Sequence, residues 1–278
     1  MRQGQRVDRL AALLAGLAVA VLLAFVLLPV VAIFIRVPPA TLAAQLHSRV
    51  ALDALWVSLR TTVIALVVIL VLGTPAAYAL AATRRRTVLL STILELPLVL
   101  PPPVAGIGLL VAFGRQGLLG DPLRVVGVSI PFTQIAVVMA LVFVSLPFFV
   151  RQAIASFQSV DPQLIAASRT LGAGPTRTFL RVALPLATPG LTAGAALAWA
   201  RSLGEFGATL MFAGSLQGKT QTLPVAIFTE LAHDFDTALA IAALLVAVSA
   251  GLFMGVKLLL REPSLSWLQT SSSTSATA

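Results

Sequence analysis

The chain has 278 residues, 58% of them hydrophobic and only 10% charged, against roughly 25% charged residues in soluble domains, so water is not its main solvent. The absence of cysteine excludes disulfides, thiolate metal sites and cysteine nucleophiles. The net charge of +9 comes without a basic stripe interleaved with aromatics, which argues against nucleic acid as a partner and fits the Lys- and Arg-rich cytoplasmic loops of membrane proteins.

A hydrocarbon core about 30 Å thick needs about 20 apolar residues to cross it as a helix, and six segments of that kind are predicted. The first lies between Arg9 and Arg36; it is too long for a signal peptide, whose apolar core runs about 7 to 15 residues, so an uncleaved span is expected. The second lies between Arg60 and Arg84, and the third runs from about Thr87 to Phe113 and contains Glu95. The fourth lies between Arg124 and Arg151. The fifth starts after Arg181 and contains Arg201 and Glu205, and the sixth lies between Asp236 and Lys257. Six crossings place both termini in the cytoplasm, along with the TRRRT turn at 83–87 and the segment 151–185. Arg84, Arg85, Arg86, Arg151, Arg169, Arg177, Arg181, Lys257 and Arg261 then all fall inside, as the positive-inside rule requires.

The segment 151–185 is longer than an ordinary connection between spans, and it reads as structured: SFQSVDPQLIAASRTLGAGPTRTFLRVALPLATPG. Asp161 and Pro162 form an N-cap and first-turn pair, and Gly172 suits a left-handed C-terminal cap. Gly174 with Pro175 restarts a helix that Pro185 is expected to end. Two helices of about ten residues, roughly 15 Å each, are too short to span and are placed on the cytoplasmic face. Leu164, Ile165, Ser168 and Leu171 give the first an apolar side; Arg169, Arg177 and Arg181 make the pair basic. Such an element either rests on lipid headgroups or docks a soluble partner.

AASRTLG, nine residues, then VALP, Ala166 to Pro185, resembles the EAA loop of ABC importer permeases, whose pattern is Glu-Ala-Ala, three residues, Gly, nine residues, Ile, one residue, Leu-Pro. Gly172, Leu184 and Pro185 fall on the pattern, Val182 replaces Ile, Ala167 matches, and Ala166 and Ser168 stand where Glu and Ala are usual. The resemblance implies coupling helices seated in a cleft of each ATP-hydrolysing subunit. Two further stretches, ELPLVLPPPVAGIGLLVAFGRQGLLG and ARSLGEFGATLMFAGSLQGKTQTLPVAIFTEL, are similar to molybdate and tungstate permeases, with sulfate permeases as nearer cousins than sugar or amino-acid ones. The similarity covers most of residues 56–260. It implies an all-α integral membrane protein of six transmembrane helices with cytoplasmic coupling helices, the type I importer fold. It further implies a homodimer in lipid, two ATPase subunits below and an extracytoplasmic molybdate-binding protein above. The organisation expected is 1–54 as N-terminus, first span and outer loop, 55–260 as the permease core with its EAA loop at 161–185, and 261–278 as a disordered polar tail.

Pro101, Pro102 and Pro103 remove three consecutive backbone donors, which marks either the end of a short third span or a broken helix lining a pathway. Gly204, Gly207 and Ala208 permit close helix approach, for packing or for a gate, and Thr209 follows them in the same block. Arg201 and Glu205, four apart, are expected on one helical face as a self-neutralising pair; the functional alternative is Arg201 presenting positive potential to a passing dianion. Glu95 is expected to meet one of Arg84–Arg86. His47 and His233 stand singly in outer loops without metal spacing. AGSLQGKT, 213–220, fits a loose phosphate-binding loop, but a helical apolar run precedes it and Pro224 follows, so the strand and helix that the loop requires are missing.

The expectation is a non-enzymatic permease that moves molybdate, or tungstate, by alternating access while ATP and magnesium are handled by its partners. A sulfate or thiosulfate permease is the alternative cargo reading. A gradient-driven transporter is disfavoured because the spans contain no Asp and few acidic groups to carry protons.

Overall fold

The computed structural model describes the backbone of residues 2–82 and 84–260, and the side chains of 12–45, 47–82 and 89–255. Thr83, the side chains of Arg84–Arg86 expected to meet Glu95, and the tail 261–278 lie outside the described residues; the backbone of 84–87 is helical, where a turn is expected. Every regular element described is helical. In chain order these are α1 (Arg2–Arg36), α2 (Pro39–Leu46), α3 (Arg49–Ala81), α4 (Arg84–Val99), α5 (Pro102–Phe113), α6 (Gly120–Val125) and α7 (Gln134–Gln158). There follow α8 (Pro162–Thr170), α9 (Pro175–Thr178), a π-helical turn (Phe179–Ala183), α10 (Leu184–Leu203), α11 (Gly207–Ala213), α12 (Leu223–Leu231) and α13 (Phe235–Leu260).

Among the described residues, five stretches are long and apolar enough to cross a membrane: Ala12–Arg36, Arg49–Ala81, Gln134–Gln158, Pro175–Leu203 and Phe235–Gly255. The third expected span is a broken pair, α4 and α5, bent by 111°. The second begins at Arg49, well before the charge-free run. Ser48 caps it, its hydroxyl accepting from the Ala51 N–H at 3.2 Å, and 33 residues make a helix of about 50 Å, longer than hydrocarbon is thick. Charge spacing marks the apolar middle of α3 and misses its extension, which carries Asp53.

The centre of the bundle is α7, with α3 and α10 packed along it. Ala136, Ala140, Val144, Phe149 and Ala153 of α7 are buried, as are Ala65, Ile69 and Ala77 of α3 and Ala187, Leu191 and Ala198 of α10. Small residues let the helices approach where lipid supplies no hydrophobic drive, and a polar contact adds to them: the buried Ser202 of α10 donates to Ser145 of α7 at 2.9 Å. By contrast, none of the most apolar stretch of α1 is buried in the chain. This helix presents apolar surface on all sides, as expected of a lipid-facing span.

The fifth span departs from expectation at both ends. Pro185 does not end a short helix; α9, the π turn and α10 run on as one helix from Pro175 to Leu203. A proline inside an α-helix clashes with the carbonyl four residues back and leaves one acceptor without its donor. Here the wider π turn immediately precedes Pro185, and its i to i+5 pairing relieves that conflict. At the other end the helix stops at Leu203, so Arg201 and Glu205 do not share a continuous helical face. Gly204, Glu205 and Phe206 form a linker to α11.

Candidate functional site

Two constellations stand out, one on each side of the fifth span. The first is the two-helix element at 161–178. Asp161 caps α8, accepting from the Gln163 N–H at 2.8 Å, and Pro162 occupies its first turn. Gly172 then adopts φ +81°. The Gly172 N–H donates to the Arg169 carbonyl at 3.0 Å and the Ala173 N–H to the Ser168 carbonyl at 3.1 Å, the pairing of a Schellman cap. A left-handed residue is required there, which is the role expected of Gly172.

No residue of α8 is buried. Ile165 and Ser168 turn partly inward, while Leu164 is 47% and Leu171 88% exposed. Ala166 and Ala167 lie on the exposed surface. Ser168 lies within 3.1 Å of the hydroxyl of Thr178, a fully buried residue, and so ties α8 to the helix that becomes the fifth span. Beneath them, rings from three elements meet: Tyr78 of α3 lies 5.2 Å from Phe157 of α7 and 4.8 Å from Phe179, centroid to centroid. Val182 and Leu184 are half-buried, and Pro185 is exposed. The loop pattern therefore divides in space: residues 166–172 form the projecting element, and 182–185 begin the span behind it.

The second constellation surrounds the proline run. Pro101 precedes α5 with φ −55° and ψ 134°, and Pro102 and Pro103 occupy its first turn, where missing N–H groups would have no intrahelical partner anyway. The run is thus a break between two helices that meet at 111°. Against it lies α11. A Cβ on Gly207 would stand 2.9 Å from Pro103 Cδ and 3.0 Å from Pro102 Cβ, and one on Gly106 would stand 2.6 Å from the Ala208 carbonyl oxygen. The two helices touch at backbone distance.

Glu205, 1% exposed, joins α10 to α11. Its Oε2 lies 2.5 Å from Arg201 Nη2, and its Oε1 accepts the Ala208 N–H at 2.9 Å. Arg201 is 26% exposed, so the pairing expected from the spacing exists, although on a different backbone. Thr209 is buried, its hydroxyl donating to the Phe206 carbonyl at 2.8 Å. Gly204 is exposed, with nothing nearer than 3.9 Å to the position of a Cβ. Sequence reasoning missed Gly106, Thr178 and the ring cluster; an interior glycine in an apolar helix was the available signal for the first.

The AGSLQGKT stretch begins at the end of α11 and closes as a turn. The N–H groups of Lys219, Thr220 and Gln221 all donate to the Leu216 carbonyl, at 3.0, 2.8 and 3.0 Å. Thr220, fully buried, accepts from the Leu216 N–H at 3.0 Å. A phosphate loop needs those amides free and that hydroxyl exposed; here both are engaged. Lys219 is exposed. Gln217 donates to Asp53 at 3.1 Å, tying the turn to the extended end of α3. Among the described residues no cluster of His, Asp and Glu could hold a metal.

Residues 69–262 match the family described as binding-protein-dependent transport system inner membrane component. The molybdenum transport system permease protein ModB of Mycobacterium tuberculosis is 47% identical over 235 residues, covering 84% of this chain and 88% of that protein. The probable molybdenum ABC transporter permease protein of Haloferax volcanii is 40% identical over 256 residues, 90% of each chain. A chain in the crystal structure of a bacterial ABC transporter involved in import of the acidic polysaccharide alginate superposes with a TM-score of 0.71 at 15% identity, covering 94% of this chain and 99% of that one. The last comparison speaks for the fold alone. The all-helical bundle with its broken span and projecting helix pair, taken with these matches, shows that the chain belongs to the binding-protein-dependent transport inner-membrane components, as a multi-pass permease subunit of an ABC importer.

Proposed function

We propose that this permease moves molybdate into the cytoplasm by alternating access, as a homodimer that carries two ATPase subunits on its cytoplasmic face and receives cargo from an extracytoplasmic binding protein. Both termini and the α8–α9 element lie inside, and the AGSLQGKT turn lies outside. The chain itself performs no bond chemistry and holds no nucleotide; ATP and magnesium belong to the ATPase subunits. Residues 166–172 are the docking segment, and 182–185 are the root of the helix it drives.

The observation that carries this reading is the projecting element. The α8 helix has no buried residue, it is held in one pose by Gly172 and by the Ser168–Thr178 contact, and it is joined to a helix running unbroken to Leu203. A lipid-resting helix needs no such tether. The molybdenum names of the relatives support the cargo. Arg201, already neutralised by Glu205, is not free to bind a dianion, which suits a pathway that passes cargo without holding it.

The test is reconstitution in vesicles with the ATPase subunits and the binding protein of the same system. ATP-dependent molybdate uptake that excess sulfate does not abolish is the expected result. Uptake driven by an ion gradient without the ATPase, or of sulfate in preference to molybdate, would overturn the reading.

A further inference from the structure

We infer that the Arg201–Glu205 pair is a mechanical clip that passes motion from the fifth span to the broken α4–α5 helix, with Glu205 as its positioning residue. This rests on the proposed coupling of the cytoplasmic helices to an ATPase.

The linker between α10 and α11 has three residues, Gly204, Glu205 and Phe206. Its first residue is exposed, with nothing nearer than 3.9 Å to its Cβ position, and the Gly204 and Glu205 N–H groups bond back to the Ala200 and Ser202 carbonyls of α10, at 3.4 and 3.2 Å; the backbone therefore ties the linker to α10, and a rotation or tilt of α10 could be absorbed at the step into α11. One carboxylate removes that freedom. Glu205 takes Arg201, in the last turn of α10, on Oε2, and the first-turn amide of α11 at Ala208 on Oε1 at 2.9 Å. The two helices are thereby held in one relative pose across the flexible position. The charges demand it as well: a carboxylate 1% exposed is costly without a charged partner, and intramembrane ionisable groups pair for that reason.

Beyond the clip there is no slack. Gly207 sets the backbone of α11 against the ring atoms of Pro102 and Pro103, and Gly106 sets α5 against the backbone of Ala208 and Met211 Cβ, so no long flexible side chain lies between to give way. Any displacement of α11 must therefore move α5 about the 111° break. The chain of contacts runs from Ser168–Thr178, along Pro175–Leu203, through the carboxylate, to the proline break. A packing role alone would need the glycine contacts but not the ion pair.

The clip can be separated from stability. Glu205→Gln keeps an oxygen that accepts from Ala208 N–H but loses the charge pairing. Arg201→Gln opens the clip from the other side, at a residue a quarter exposed and therefore more tolerant of replacement. Arg201→Lys retains the pair. Each is assembled with the ATPase subunits and binding protein in vesicles, and molybdate moved per ATP hydrolysed is measured. In parallel a single cysteine at Val104, exposed on α5, is introduced into this cysteine-free chain, and its thiol-labelling rate is compared with and without nucleotide.

In the parent, labelling at position 104 changes with nucleotide state. In Glu205→Gln and Arg201→Gln, ATP hydrolysis continues, cargo per ATP falls by about fivefold or more, the lower range of coupling between linked sites, and the nucleotide effect on labelling disappears; Arg201→Lys restores both. If Glu205→Gln does not assemble, Arg201→Gln carries the test. The inference is overturned if both readouts stay at parental values, or if only the quantity of assembled complex falls while cargo per ATP is unchanged. Failure of the underlying reading is told apart in the parent arm, where neither uptake nor labelling would respond to ATP.

Discussion

Gly106 and Gly108 are two residues apart on α5, and the structure assigns opposite signs to the same substitution at the two positions. A methyl on Gly106 would sit 2.6 Å from the Ala208 carbonyl oxygen, 2.8 Å from Ala208 Cα and 2.8 Å from Met211 Cβ. None of these is the free end of a flexible side chain, so α5 and α11 must separate. Overpacking of this kind costs about 1–3 kcal/mol, offset by about 0.5–1 kcal/mol from replacing glycine inside a helix. With three contacts below 3 Å the overpacking lies in the upper half of that range, so Gly106→Ala is expected to lose about 1–2.5 kcal/mol net. Gly108 has nothing within 4 Å of its Cβ position, so Gly108→Ala keeps only the helix gain, about 0.5–1 kcal/mol. The assay is thermal unfolding of the purified chain in detergent, followed by tryptophan fluorescence. At roughly 2–4 °C per kcal/mol for a chain of this size, the midpoint of Gly106→Ala should fall by several degrees, while that of Gly108→Ala stays level or rises. A Gly106→Ala protein as stable as Gly108→Ala would refute the backbone contact between α5 and α11.

Gly172→Val meets no atom within 4 Å but must hold φ +81°, a strain of about 1–2 kcal/mol; it should insert normally yet pull down less ATPase and lose uptake, with Gly172→Asn affected less. Ser168→Ala strips Thr178 of the contact that ties α8 to the span, and should raise protease sensitivity between 168 and 178 without lowering the unfolding midpoint by more than about 1–2 kcal/mol worth of stability. Single cysteines at His47 and Lys219 should react with an impermeant thiol reagent outside intact cells and one at Thr176 should not; labelling at Thr176 would reverse the orientation. The hydroxyl of Thr237 above all, with backbone N–H groups nearby, holds the Asp234 carboxyl below the usual carboxylate range, so its capping of α13 is complete at neutral pH. The midpoint difference between the parent and Asp234→Ala should persist down to about pH 4, the ordinary carboxylate value, and shrink only below it.

What could be read from the sequence follows the reach of each signal. Charge-free runs located the spans because the hydrocarbon penalty acts on each segment alone. Gly172 with Gly174 and Pro175 announced the helix break because a left-handed cap and a first-turn proline are local events. The spacing of Arg201 and Glu205 identified the right pair on the wrong backbone: four residues is one helical turn, but a carboxylate can also reach back across a linker. Pro185 misled for a related reason, since a proline forbids the α-turn before it and says nothing of a π turn that evades the clash. Gly106 offered only the signal of a glycine inside an apolar helix, because the surface that requires it is α11, some hundred positions away in the chain. Ser168 and Thr178 face each other only once Gly172 has turned the chain.

The π turn at Phe179–Ala183 also sets an angle. Relative to a straight α-helix it inserts one residue between the docking end and the membrane end of the same rod, and one residue is worth about 100° of rotation. The phase between the face that α8 presents below and the face that carries Arg201 above is therefore set by the π turn as well as by the number of residues between them. Straightening those five residues into an α-turn without removing one would leave both ends intact in themselves and misdirect one against the other by about 100°, whereas removing one residue as the turn straightens would keep the two faces in register.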